Sequence, residues 1–219
     1  MEFIIPQLES FELREIWTQR ALEIIKEKVL LSQGDFHIAI AGGATPLPIY
    51  RELSELSLPW NRISLYQTDE RLTSDLNELN LTTQLSALGR NLLLSVHKFV
   101  TFNTDLAVTE MVNSYTKSLP DKLDLVVLGM GEDGHIMSLF CEDDLVVEGR
   151  VTQTITNNYR TKHRVGLTFD YLKKTSHILL LIQGAKKLEQ LSIQLAEQTE
   201  FKPLSLLIKS SKVEILYLK

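Results

Sequence analysis

The stretch LDLVVLGMGEDGHIMSLF, Leu123 to Phe140, decides how this chain is read. Its first half, LDLVVLG, is a short apolar run with almost no polar face, the pattern of a strand covered on both sides in a parallel sheet. GMGEDG, Gly129 to Gly134, follows directly and fits the G-x-G-x-x-G turn of a dinucleotide site, with Glu148 near the distance for holding a ribose. The residues beyond argue against that use. Only HIMSLF separates the glycines from the acidic CEDD at 141–144, whereas a parallel crossover needs about a dozen residues or more. The turn also begins more than halfway along the chain, not at the opening of the fold. A tight loop whose backbone approaches a ligand fits better, with His135 beside it at the start of a short helix. Imidazole takes up a proton near neutrality, at about pH 6.5, which makes His135 the candidate base.

Working outward, similar apolar runs recur as FHIAIA (36–41), RISLYQ (62–67), HILLLIQ (177–183) and VEILYL (213–218). Between them lie amphipathic helical stretches, predicted over 13–31, 46–56, 80–88, 106–119 and 185–198. The first carries an apolar stripe of Leu13, Ile16, Trp17, Ala21, Ile24, Ile25 and Val29. Pro46 suits a first helical turn, and Asn80 suits an N-cap. VTQTIT (151–156) and RVGLTF (164–169) instead alternate polar and apolar residues, as a half-exposed antiparallel hairpin does. The expectation is a Rossmann-like α/β fold: a doubly wound, mostly parallel sheet, helices on both faces, and a small antiparallel hairpin at one edge. No repeat or linker divides the chain, so residues 1–219 are read as one domain.

Composition narrows the functional classes. A net charge of -5 without long Lys/Arg runs gives no basic face for nucleic acid. The single cysteine, Cys141, has no disulfide partner in the chain, and no Cys/His cluster has metal-ligand spacing. No apolar stretch approaches the ~20 residues of a membrane span, and the N-terminus lacks an export signal. A cytoplasmic protein, as a monomer or small homo-oligomer, is the expectation.

Other strand ends carry polar groups that can converge on His135, because ligands of open α/β sheets bind outside the carboxyl ends of the strands. In AIAGGATP, Gly42 and Gly43 remove side chains where a ligand can approach, and Thr45 offers a hydroxyl. In TDER, Asp69, Glu70 and Arg71 follow a strand as a charged loop. Arg164 can hold phosphate oxygens with a planar fork, and Lys187 adds a point charge. Together with the glycine turn they would form a phosphomonoester pocket.

The order of these segments resembles the 6-phosphogluconolactonase family, within the wider glucosamine-6-phosphate isomerase/deaminase and lactonase superfamily. AGGATP is similar to that family's SGGSTP turn, TDER to its DER loop, GMGEDGHIMSLF to its GMGxDGHxASLF segment, and RVGLT to its RVTLT strand. The resemblance implies hydrolysis of 6-phospho-D-glucono-1,5-lactone in the oxidative pentose phosphate pathway, without metal or organic cofactor. It makes His135 the catalytic base, with either Asp69 or Asp133 orienting it. It places Gly42, Gly43, Ala44, Thr45, Gly131, Arg164 and Lys187 around the substrate, and Asp69 and Arg71 in the active site. Arg71 or backbone amides near Gly131 would stabilise the oxyanion. Ala44 stands where the family has serine. An amino-sugar-phosphate deaminase or isomerase, or a sugar-phosphate-binding domain without catalysis, would use the same phosphate pocket.

Overall fold

The computed structural model describes residues 7–219. Its first half runs β1 (Gln7–Phe11), α1 (Arg14–Leu31), β2 (Phe36–Ile40), α2 (Leu47–Leu53), β3 (Ile63–Gln67), β4 (Asp69–Arg71), α3 (Asn80–Ser95), β5 (Lys98–Val100) and α4 (Val108–Ser118). The second half runs β6 (Leu125–Gly129), α5 (Glu142–Leu145), β7 (Val151–Ile155), β8 (His163–Leu167), α6 (Phe169–Leu172), β9 (His177–Gln183), α7 (Ala185–Leu195), α8 (Pro203–Ser210) and β10 (Val213–Leu218).

The strand read from LDLVVLG is the middle one of seven, in the order β1-β10-β9-β6-β2-β3-β5, and every pairing in that sheet is parallel. Its lack of a polar face has a direct cause. Val126 and Leu128 enter the core shared with α4, α7, α8 and the small sheet, while Leu125 and Val127 enter the core shared with α1, α2 and α3. The same alternation splits Leu180 and Ile182 from Leu179 and Leu181 on β9. The doubly wound α/β architecture read from the sequence is the one observed. No helix among the described residues is long and apolar enough to cross a membrane.

Four expectations change. The buried face of α1 is Trp17, Thr18, Ala21, Leu22, Ile24, Ile25 and Val29. Leu13, the residue before the helix, and Ile16, on its outer edge, are 60% and 56% exposed. The helix expected to end at Leu88 continues to Ser95 through a kink at Gly89, whose φ of 71° breaks the helical geometry without ending the element. Asn80 is not the N-cap of that helix. Leu79 holds that position, and the carboxylate of Glu70 accepts from the amides of Asn80 and Leu81, at 2.7 and 2.8 Å.

The fourth change bears most on the site. TDER is not a loop: Asp69–Arg71 forms β4, paired antiparallel with β8 so that Arg71 lies opposite Arg164. The expected hairpin of β7 and β8 is therefore part of a three-stranded sheet, ordered β4-β8-β7, that packs beside the carboxyl ends of the main strands. Strands β1 and β5 and helix α8 have no counterpart in the sequence reading. β1 and β5 are edge strands, and QLESF and KFV are too short and polar to stand out.

Candidate active site

Beyond the ends of β2, β3 and β6, backbone geometry and side-chain packing bring separated segments to one cavity of about 410 Å³. Gly42, Gly43, Ala44, Thr45, Asp69, Arg71, Gly131, His135, Arg164 and Lys187 all line it. So do Asn80, Glu132, Phe140 and Tyr159, which the sequence reading did not assign to the site.

The turn after β2 is pressed close to α3, because a Cβ at Gly42 would collide with the Asn80 side chain. Thr45, at the far side of the turn, is reached by Lys187 Nζ at 3.4 Å, from the first turn of α7. Ala44 contributes no hydroxyl, so Thr45 carries the only side-chain oxygen of the GGAT turn.

Asp69 is buried and accepts hydrogen bonds from Thr68 Oγ1 and Ser138 Oγ, each at 2.7 Å. The second bond ties β4 to the histidine loop. Arg71 donates through Nη1 to the Glu78 carbonyl at 2.6 Å, which fixes the guanidinium over the cavity.

His135 does not begin a helix, contrary to expectation. It lies in a tight loop closed by Gly131 N–H donating to the His135 carbonyl at 2.9 Å and Gly134 N–H to the Gly131 carbonyl at 3.1 Å, and α5 begins only at Glu142. Three tightly spaced glycines favour this closure over a helical turn. A Cβ at Gly131 would run into both the imidazole and the Asp133 carboxylate, so glycine is required there by close approach. The Gly131 amide itself is consumed by the loop, whereas Arg71 keeps N–H groups beyond the one that Glu78 accepts.

Between the two carboxylates considered as orienting groups, the geometry selects Asp133. Its Oδ1 lies 2.5 Å from His135 Nδ1, whereas Asp69 is engaged by Thr68 and Ser138. Burial pushes the Asp133 carboxyl up, but the hydrogen bond and charge of His135 outweigh it and bring the carboxyl down to about 2. With Nδ1 so occupied, Nε2 is the nitrogen left to act as base.

The cationic side carries a specific electrostatic imbalance. Arg164 is 7% exposed, and its Nε is buried without a hydrogen-bond partner. Among the described residues it forms no ion pair. Burial and the facing Arg71 lower its pKa, against the opposing charges of Asp69 and Glu70. The Lys187 ammonium is likewise lowered by burial, opposed by Glu132. A buried cation without an anion is costly, and a cavity that gathers Arg71, Arg164 and Lys187 is suited to an anionic ligand. Tyr159 was missed because its signal is only one aromatic residue in the polar tip NNYRTK of the hairpin.

Residues 12–216 match the family described as glucosamine-6-phosphate isomerases/6-phosphogluconolactonase. The chain is 34% identical over 173 residues to a 6-phosphogluconolactonase of Thermotoga maritima, covering 76% of this chain and 77% of that one. It is 30% identical over 183 residues to a 6-phosphogluconolactonase of Nostoc, covering 77% and 76%. A crystal structure of 6-phosphogluconolactonase from Thermotoga maritima superposes with a TM-score of 0.85 at 27% identity, covering 97% of this chain and 100% of that one. One from Shewanella baltica superposes at 0.89 with 21% identity, covering 99% of each chain, a likeness of fold. With its strands, its glycine loop and its cationic cavity accounted for, this chain belongs to the glucosamine-6-phosphate isomerase/6-phosphogluconolactonase family.

Proposed function

We propose that the protein hydrolyses 6-phospho-D-glucono-1,5-lactone to 6-phospho-D-gluconate, with His135 as general base. The observation that carries this reading is the buried, unpaired Arg164 in one cavity with Lys187 and the His135–Asp133 pair. A substrate with a phosphate at one end and an electrophilic carbonyl at the other satisfies both groups at once. The names of the relatives supply the particular lactone.

In this mechanism Asp133 accepts a hydrogen bond from Nδ1–H, which keeps its proton, and Nε2 removes a proton from a water molecule as its oxygen adds to the lactone carbonyl. Negative charge collects on the former carbonyl oxygen, and Arg71 is placed to stabilise it. Collapse breaks the bond from the carbonyl carbon to the ring oxygen, which takes the proton back from the imidazolium. Arg164, Lys187 and Thr45 hold the phosphate and so place the carbonyl at the histidine.

The test is acid release from freshly generated lactone, corrected for spontaneous hydrolysis. General-base help contributes about 10²–10⁴-fold, so His135→Ala with unchanged folding should lose kcat by that range. A fully active His135→Ala variant overturns the assignment, and release of ammonia from glucosamine 6-phosphate would move the protein to the isomerase and deaminase branch.

A further inference from the structure

One side chain of the cavity has no part in that mechanism. Tyr159 sits half buried in the loop joining β7 to β8. Its Oη lies 3.3 Å from His135 Nδ1, and its ring meets the imidazole edge-on, at 73° with centroids 5.3 Å apart. On its other side the Arg164 guanidinium carbon stands 5.8 Å from the ring centroid. Phe140 closes the cluster, 4.7 Å from the imidazole centroid and 5.8 Å from that of Tyr159. One phenol therefore touches both the candidate base and the buried cation.

The loop that carries it is anchored. Thr156 N–H donates to the Lys162 carbonyl at its base, Arg160 pairs with Glu78 at 2.9 Å and reaches Asp75 at 3.8 Å, and Thr161 Oγ1 donates to Glu78. The Glu78 carbonyl is also the acceptor that fixes Arg71. The hairpin tip and the Arg71 guanidinium are thus held by the same residue.

Resting on the lactonase reading, we propose that Tyr159 is a positioning residue joining the two ends of the site. Its ring holds the Arg164 guanidinium ready for the phosphate, and its hydroxyl acts with Asp133 to keep His135 protonated on Nδ1 and free on Nε2. The ring part follows from Arg164's lack of an ion pair: the π face of Tyr159 is the electron-rich surface beside a desolvated cation. The hydroxyl part follows from the crowding at Nδ1. A proton there is directed at Asp133, and the Tyr159 oxygen is a second acceptor beside it. Burial, then the charge of Asp133, raise the phenol to about 12, so it stays neutral.

Tyr159→Phe and Tyr159→Leu separate the two parts, with His135→Ala as control. Three readouts apply: kcat and KM on fresh lactone, the Kd of inorganic phosphate by calorimetry, and the ¹⁵N shifts of the His135 ring. Tyr159→Phe should lower kcat about fivefold, the loss of one hydrogen bond, and move the ring shifts towards mixed tautomers while phosphate Kd stays put. Tyr159→Leu should in addition raise phosphate Kd and KM about three- to tenfold, as loss of a partly buried cation–π contact does. Wild-type kcat, phosphate Kd and ring shifts in both variants, with His135→Ala inactive, would overturn the role of Tyr159 and leave the lactonase reading standing. An active His135→Ala would instead overturn His135 as the base and the hydroxyl part with it, and phosphate Kd in Tyr159→Leu then decides the ring part alone.

Discussion

Asp133 Oδ1 lies 2.5 Å from Nδ1 of His135, and both side chains rest against the bare Cα of Gly131. One glycine turn and the residue that follows it therefore supply both the base and the group that orients it.

This pairing predicts the behaviour of Asp133→Asn. An amide can present its N–H₂ to Nδ1 and favour the wrong tautomer, so kcat should fall about 10- to 10³-fold with KM little changed. Stability should change with a definite sign. The folded carboxyl titrates at about 2, below its ordinary 3.8, so the unfolded chain binds the proton more tightly. The pair's contribution is present above the ordinary value and is lost as pH falls through the folded one. Urea midpoints of wild type and Asp133→Asn should differ at about pH 5 and converge towards about pH 2. A constant difference over that window would separate Asp133 from the acid response.

Arg164→Met tests the opposite balance, a group that serves binding at the expense of folding. The guanidinium is 7% exposed and forms no ion pair among the described residues, whereas Met has a similar stem and no charge to desolvate. The unfolding midpoint should stay level or rise. Charge-assisted bonds to phosphate are worth about 1.5–3 kcal/mol, so KM for the phosphorylated lactone should rise roughly 10- to 100-fold, with kcat largely kept. A large loss of stability would show instead that contacts within the protein offset the desolvation of Arg164.

The contrast between Asp133 and Arg164 also explains how much could be read from the sequence. The strand, the glycine turn and the histidine were legible because they are contiguous, whereas the tight loop at His135 in place of a helix, and Asp133 rather than Asp69 at Nδ1, emerge only from the local packing. The five inner strands of the main sheet were legible because they are apolar on both faces. β4 was not: three charged residues give no periodicity, and they become a strand only through pairing with Val165 and its neighbours on β8. The Asp69–Ser138 bond spans 69 positions, and the Tyr159–His135 contact exists only once the hairpin folds over the cavity. Asn80 illustrates a local rule overruled. Its side chain is held by the Asp69 carbonyl, and the helix is capped by a carboxylate ten residues earlier.

That carboxylate gives the last prediction. Glu70 is fully buried between two residues of the cavity wall, and it accepts four hydrogen bonds. Oε1 takes the amides of Arg71 and Asn80, both at 2.7 Å, while Oε2 takes the Leu81 amide at 2.8 Å and Gln67 Nε2 at 2.9 Å. Glu70→Gln is nearly isosteric, but it turns an N–H₂ towards two groups that are themselves donors. Leaving buried donors unsatisfied costs about 1–3 kcal/mol each, so stability in urea should fall by about 2–4 kcal/mol with an unchanged m-value. Glu78→Gln, in the same connecting segment, removes a carboxylate whose partner Arg160 is 82% exposed, and should cost less than about 1 kcal/mol. Because β4 carries Arg71 and α3 carries Asn80, Glu70→Gln should also lower kcat/KM more than Glu78→Gln does. Equal losses in the two variants would mean that the buried cap does not hold this wall of the site.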